Sequence, residues 1–395
     1  MAYGTARLNV TQITHHDLDG YGASTVAGAL VPLAAVIHVP RYVDVGPVVE
    51  TELKRLAKVA APELLLVTDL GLEDVAVKFL RSFAALNRRR DPGTGHRLVV
   101  LDHHASSLDR LKAHDVAPSA ENGPLTTFDL GDPNVAVLID STRSATRMAF
   151  EHRALYGAGP VDPAVESRLA TLVGAVDAVD LWQKAVPAFR AGLVLDEAFW
   201  DNVSTLVPLG HPWHDRFVSA LLLAVAGLIE TGLSPAETER RIAAVRAEIL
   251  DQFLADDPED DRSLTTRMRA ARVLARSREL FSPLSDGTLL SFGLDAGTFQ
   301  RVSDLIMETG GAKRVANVQR TGSVSFRSND ESALTGARAF RGGGHRDAAG
   351  GKLPSGAAFS LADACAQVEP LLNPPAADPA ASPFAALKDW KGQRG

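Results

Sequence analysis

Four of the eleven histidines stand as two adjacent pairs, each beside aspartate, and both residue types ligate metal ions. The first group is Thr14-His15-His16-Asp17-Leu18-Asp19-Gly20, the second is Asp102-His103-His104, and a lone Asp69 stands in Thr68-Asp69-Leu70-Gly71. In an extended segment side chains alternate, so His15, Asp17 and Asp19 fall on one side. One imidazole with two carboxylates suits a divalent ion of the magnesium, manganese or zinc type. The competing structural reading has Asp17 or Asp19 capping the helix that follows, and Asp69 serving a turn or cap. The one cysteine, Cys365, excludes a Cys-based zinc site and an internal disulfide.

Each group must be held by an element, and each directly follows a predicted strand. Leu8 to Thr14 reads as a strand that ends in polar residues, and Leu64 to Thr68, Leu98 to Leu101 and Val135 to Ile139 read as short buried strands. Between them, Gly22 to Val31, Pro47 to Ala60 and Glu73 to Asn87 carry apolar residues at helical spacing, and Pro163 to Val176 reads as a buried helix. Strands alternating with helices predict right-handed crossovers and a parallel sheet. In such sheets ligands collect at the carboxyl ends of the strands, which is where all three groups stand.

From about Gln183 the strand signal stops and residues to about 280 read as helix, with an arginine-dense segment at Arg262 to Leu280 expected to be a solvated linker. A third region from about Thr288 has short apolar runs around a helix at Gln300 to Glu308, followed by a glycine cluster. Pro374, Pro375, Pro379 and Pro383 among alanines predict a flexible tail. Trp182, Trp200 and Trp213 read as core or interdomain residues. The chain has 395 residues, enough for two or three domains. A formal charge of −7 disfavours a protein that coats long duplexes through their phosphates. A small phosphorylated ligand held by metals and a few arginines is compatible with it. Arg7 and Asn9 interrupt the start of the chain, so no secretory signal is read there, and no apolar run is long enough for a membrane span. The expectation is a cytoplasmic protein.

The set His15-x-Asp17-x-Asp19-Gly20, Asp69 and Asp102-His103-His104 resembles the DHH phosphoesterase superfamily. That group includes the RecJ single-strand exonucleases, the nanoRNases of very short oligonucleotides and phosphodiesterases of cyclic dinucleotides. Ser325-Phe326-Arg327-Ser328 and Gly342-Gly343-Gly344-His345-x-x-Ala348-Ala349-Gly350 look like the DHH-associated domain of the first type. The resemblance covers roughly 6–182 and 285–372 and, with the helical and proline patterns, gives an α/β chain: a catalytic parallel-sheet domain over 1–182 with helices on both faces, a helical linker over 183–284, a smaller α/β substrate domain over 285–372 and a tail over 373–395.

By the same resemblance two Mn²⁺ ions, with Mg²⁺ or another divalent ion as substitutes, bind one active site. His15 and Asp17 would hold one ion, Asp19 and His103 the other, and Asp69 would bridge them. A fourth motif supplies one further aspartate, with Asp177 preferred and Asp180 the runner-up. Asp102 would orient the histidines, His104 would contact the substrate phosphate, and His16, at a variable position, would be exposed. Gly342, Gly343 and Gly344 would let backbone N–H groups approach a phosphate or base, with His345 and Arg327 holding the terminal phosphate or stacking on the base. The implied activity is two-metal water attack on the phosphorus of short single-stranded oligonucleotides or small nucleotides. A cyclic-dinucleotide phosphodiesterase or a 3′-phosphoadenosine 5′-phosphate phosphatase is the alternative within that chemistry, and a non-catalytic nucleotide-binding protein the alternative outside it. A homodimer is compatible with either.

Overall fold

The computed structural model describes residues 8–91, 93–203 and 207–374. It divides into two compact units, Met1–Val203 with Trp213–Asp256, and Ser204–Pro212 with Asp257–Gly395.

The first unit alternates β1 (Asn9–His15), α1 (Leu18–Leu30), β2 (Leu33–Val39), α2 (Tyr42–Leu56), β3 (Glu63–Thr68), α3 (Asp74–Asn87), β4 (Arg97–Asp102) and α4 (Ala105–Ala113). A hairpin of β5 (Pro118–Asn122) and β6 (Leu125–Phe128) precedes β7 (Val135–Ile139). Then come α5 (Ala145–Glu151), α6 (Pro163–Asp180), α7 (Ala188–Asn202), α8 (His214–Glu230) and α9 (Pro235–Ala255). The seven strands lie in the order β2-β1-β3-β4-β7-β6-β5. The first five are parallel and the β5–β6 hairpin adds an antiparallel edge.

All six residues of β3 are buried, as expected of a central parallel strand covered on both faces. One face packs under α2 and α3, through Val45, Val49, Val77, Leu80 and Phe83. On α1, buried Ala23, Val26 and Ala27 accompany contacts with α5, α6 and α8.

Register decides what converges. Thr14 pairs with Thr68, and Thr68 pairs with Leu101. The three strands therefore end in one row, and the next residues, His15, Asp69 and Asp102, emerge side by side at one sheet edge. The row is tied by hydrogen bonds from Thr68 Oγ1 to Thr14 Oγ1 at 2.8 Å and from Gln12 Nε2 to Thr68 Oγ1 at 2.9 Å.

The second unit carries α10 (Thr266–Arg276), β8 (Phe281–Pro283), β9 (Leu289–Phe292), α11 (Ala296–Glu308), β10 (Arg314–Val318) and β11 (Ser323–Ser328). It closes with α12 (Ala333–Arg338), β12 (Gly343–Gly344), β13 (Ala348–Lys352) and α13 (Leu361–Leu372). Its six strands run β12-β13-β11-β10-β9-β8, with only β9 and β10 parallel. Alternation along β10 sends Val315 to a cluster with Leu274, Phe299 and Val302, and Ala316 and Val318 to one with Phe326, Ala337 and Val368. The protein is thus an α/β chain with a larger, mostly parallel sheet and a smaller mixed sheet.

Several local readings differ from the sequence expectation. The stretch read as a helical connector divides between the units: α7, α8 and α9 belong to the first, α10 to the second. The arginine-dense segment is not a uniformly solvated helix. Arg269 is buried and holds Asp260 through Nε at 2.6 Å and an NH₂ group at 2.7 Å. Trp182 and Trp200 are not core residues, with 60% and 48% of their surface exposed. Beyond Pro374 the expected tail lies outside the described residues. Among the described residues, no helix is long and apolar enough to cross a membrane.

Candidate metal centre

Asp17 caps a helix with one oxygen and faces His15 with the other. Its extended backbone places it as the N-cap of α1, with Oδ1 accepting from Gly20 N at 3.0 Å. Its other oxygen, Oδ2, lies 2.6 Å from His15 Nδ1. Gly20 permits this tight turn, because a Cβ there would stand 2.1 Å from the His15 carbonyl oxygen. Burial pushes the Asp17 carboxyl up, but the hydrogen bond and charge of His15 outweigh it and hold the group at about 2.

Asp19 is oriented by another helix. Its two carboxylate oxygens accept from Ala145 N at 2.7 Å and Thr146 N at 2.8 Å, the free N–H groups that open α5. Asp19 Oδ2 also lies 3.7 Å from His103 Nε2. Asp69 sits in left-handed backbone at φ 55°, a conformation tolerated best by Gly, Asn and Asp. Asp69 Oδ1 faces His103 Nε2 at 3.2 Å, whereas the buried Oδ2 has no hydrogen-bond partner.

Asp177, preferred from the sequence, is not brought into this cluster. Its Oδ1 accepts from Ser144 N at 2.8 Å and its Oδ2 pairs with Arg147 Nε at 2.8 Å. Asp180, one turn further along α6, does reach it, with Oδ2 3.5 Å from His103 Nδ1.

Asp102 is fully buried and accepts from His104 Nδ1 at 2.7 Å and from the Ser107 hydroxyl. That bond leaves His104 Nε2 facing outward, 3.0 Å from the Tyr42 hydroxyl. Tyr42 also stacks on His15, with ring centroids 5.4 Å apart. Nothing in the sequence motif marks Tyr42. Its one signal is its place directly after β2, at the same sheet edge. Burial disfavours the charged form of His104, yet the hydrogen bond and charge of Asp102 raise its pKa overall. His16 corrects its expectation: it is buried, with Nδ1 3.1 Å from the Tyr21 hydroxyl, which also reaches His214 Nε2 at 2.8 Å.

The electrostatics of the cluster are those of a site short of positive charge. Burial, then the charges of Asp17 and Asp19, push Asp69 well above the carboxylate range. Burial likewise raises Asp19, and burial with the charges of Asp19 and Asp17 pushes Asp180 up to about 8. Three overlapping groups have donor atoms mutually within 4.8 Å: His15, Asp17 and Asp69; Asp69, His103 and His104; and Asp19, His103 and Asp180. Asp69 belongs to two of them, and so does His103. A divalent ion among these groups would meet the orphaned Asp69 oxygen and neutralise the repulsion. A donor set with more carboxylates than imidazoles fits Mn²⁺ or Mg²⁺.

In the second unit, Arg327 on β11 hydrogen-bonds through Nε to Gln300 Oε1 at 3.0 Å, and its guanidinium lies 5.7 Å from the Phe299 ring centre. The glycine triplet is not an open loop. Gly342 N donates to Ala337 O at 2.9 Å, and Gly343 and Gly344 form the edge strand β12 against Gly350 and Ala349. A Cβ at Gly342 would stand 2.0 Å from the Gly350 carbonyl oxygen, so close strand packing requires glycine there. His345 is exposed in the turn that follows, its N–H donating to Ala348 O at 2.8 Å. Ala348 is the register partner of Arg327, which brings Arg327 and His345 to one end of this sheet.

No family model and no curated protein matches the sequence. Among solved structures, an uncharacterized protein from Helicobacter pylori is 20% identical at TM-score 0.65, covering 93% of this chain and 99% of its own, which shows a shared fold. RecJ in complex with Mn²⁺ from Thermus thermophilus is 18% identical at TM-score 0.25, covering 92% of this chain and 52% of that one. PggH, a pGpG-specific phosphodiesterase from Vibrio cholerae, is 16% identical at TM-score 0.23, covering 90% and 95%.

Proposed function

We propose that this chain is a metal-dependent phosphodiesterase acting on short single-stranded oligonucleotides or small nucleotides. The observation that carries the reading is the convergence of His15, Asp17, Asp19, Asp69, His103 and Asp180 at one sheet edge, with a buried Asp69 oxygen left unpartnered. His15 and Asp17 would hold one divalent ion and Asp19, His103 and Asp180 a second, with Asp69 shared. Bound there, the ions supply charge for the phosphate oxygens and lower the pKa of an attacking water. The chain's own residues do the positioning. The α5 N-terminus locks the Asp19 carboxylate, and Asp102 fixes the His104 ring with Nε2 outward. In the second unit, Arg327 and His345 are the proposed substrate-binding residues.

The test is a Mn²⁺-dependent hydrolysis panel of 5′-labelled dinucleotides, longer oligomers and cyclic dinucleotides. Release of mononucleotides from the short linear substrates is the expected result, and no hydrolysis of any member overturns the reading.

Asp180 and Asp177 separate cleanly in this scheme. Asp180→Asn is expected to lower bound Mn²⁺ and leave the melting temperature of the metal-free protein unchanged or raised. Asp177→Asn is expected to destabilise by about 1.5–3 kcal/mol, since Ser144 N–H loses a charged acceptor and Arg147 its carboxylate neighbour. Metal analysis beside thermal melts of both variants checks this, and metal loss confined to Asp177→Asn would reverse the assignment.

His345→Ala is expected to raise KM with metal content unchanged, because its side chain is proposed to position substrate rather than to ligate an ion. Kinetics on a dinucleotide with metal analysis decide it. Lost metal would place His345 among the ligands, and unchanged kinetics would leave the turn without a substrate role.

A further inference from the structure

Beside the metal centre lies a groove of about 460 Å³ between α2 and α3, a volume within the range of small-molecule sites. Both helices begin at the carboxyl edge of the sheet, α2 three residues after β2 and α3 six residues after β3. One end of the groove, at Tyr42 and Glu73, therefore lies on the side where the metal-ligating types stand. Tyr42 lines the groove and is also the residue whose hydroxyl meets His104 Nε2 at 3.0 Å and whose ring stacks on His15. Val43 and Val75 stand on its opposing helices and are 73% and 52% exposed, while Phe79 lines it from within the core. Exposed valines beside an exposed tyrosine form an apolar surface that folding alone does not bury. Two of its lining residues, Val43 and Pro47, stand as acceptor and missing donor in the α2 ladder. Pro47 lies inside α2 and has no N–H, so the Val43 carbonyl four residues earlier receives no helical bond from it.

We propose that this groove holds a nucleobase of the substrate whose phosphate is bound at the metal centre. The proposal rests on the phosphodiesterase reading and names what that site recognises. The occupant must be flat enough to lie along the cleft where Val75 of α3 packs on Gly46 of α2, apolar on its faces, able to donate to a carbonyl at its edge, and joined to a phosphate within reach of Tyr42. A base with an exocyclic amino group meets all four conditions. Tyr42 is the hinge between the two sites, offering its ring to the base and its hydroxyl to His104.

The full-length protein with Mn²⁺ is assayed on the dinucleotide pdApdA and on two versions in which one nucleoside is replaced by a tetrahydrofuran abasic residue. For the wild type, kcat/KM is expected to fall roughly tenfold or more with one abasic version, mainly through KM, as stacking of one base on an aromatic ring implies. Val75→Arg, reaching into the groove from α3, is expected to bring the pdApdA value down to that of the abasic substrate. Val43→Lys, from the opposite wall, should do the same, so a folding defect in one variant does not decide the matter. A wild-type preference retained by both variants, or no wild-type preference at all, overturns the proposal. A shift in oligomeric state on sedimentation with the base preference intact would make the groove a contact between copies and overturn it equally. If the wild type cleaves none of the three, the phosphodiesterase reading is decided by the full panel above, and the groove is judged separately by calorimetric titration of adenosine 5′-monophosphate. Weaker binding by Val75→Arg upholds it, and equal binding overturns it.

Discussion

Asp69→Asn is expected to leave less than a tenth of the wild-type rate, a barrier increase of more than about 1.4 kcal/mol. Asparagine keeps the size of the side chain and tolerates the left-handed backbone at φ 55°, so the change removes charge without forcing the loop. Asp69 belongs to two of the three donor groups, and its buried Oδ2 has no partner within the protein. Its loss should therefore reduce occupancy of both ions, where Asp180→Asn, a member of one group, should mainly affect one. The stability of the metal-free protein is expected to move the other way. Burial and the neighbouring Asp17 and Asp19 charges oppose ionisation of Asp69, so an uncharged residue there relieves repulsion. Rate, metal content and melting temperature measured together distinguish this from simple unfolding, which would lower all three. An Asp69→Asn protein with more than a tenth of the rate would show that Asp69 is not shared between ions.

Removal of divalent metal is expected to abolish activity completely, with Mn²⁺ restoring it after EDTA is dialysed away. Full activity in excess EDTA after metal stripping would remove the two-metal scheme. A second signature follows from the same carboxylates. The folded-state pKa of Asp180 is about 8, raised from 3.8 by burial and by the charges of Asp19 and Asp17. Between those values the folded protein binds more protons than the unfolded chain, so the slope of stability against pH is negative. The cluster favours folding below the unfolded pKa, and that advantage is lost as pH rises toward 8. Metal-free protein should therefore melt at a lower temperature at pH 8 than at pH 5, and Mn²⁺ should raise the melting temperature more at pH 8. Melts at the two pH values, with and without Mn²⁺, check the sign. Equal metal stabilisation at both values would mean that these carboxylates are not the ligands.

What was legible in the sequence was what short-range chemistry controls. The apolar run Leu64 to Val67 within β3 is a local pattern, and a strand covered on both faces belongs inside a parallel sheet. Once that sheet is accepted, its carboxyl edge is determined, and His15, Asp17, Asp19, Asp69 and His103 follow because each stands at or just beyond a strand end. The cap at Asp17 was legible for the same reason: a cap binds an N–H only three residues away.

The structure had to decide wherever a side chain's fate depends on a distant partner. Asp177 and Asp180 lie one turn apart on α6, and no local pattern separates them. Ser144 N and Arg147, about thirty residues earlier, claim Asp177 and leave Asp180 to face His103. His16 read as exposed from its own segment, yet it is buried against Tyr21, whose hydroxyl meets His214 almost two hundred residues away. Tyr42 follows the same rule. It carries no motif, and only the pairing of β2 with β1 brings α2 beside the metal edge and sets its hydroxyl against His104. Spacing along the chain determines which groups leave a strand end together. Long-range packing determines which of their oxygens remain free for a ligand, because a buried polar atom takes whatever donor the fold delivers to it.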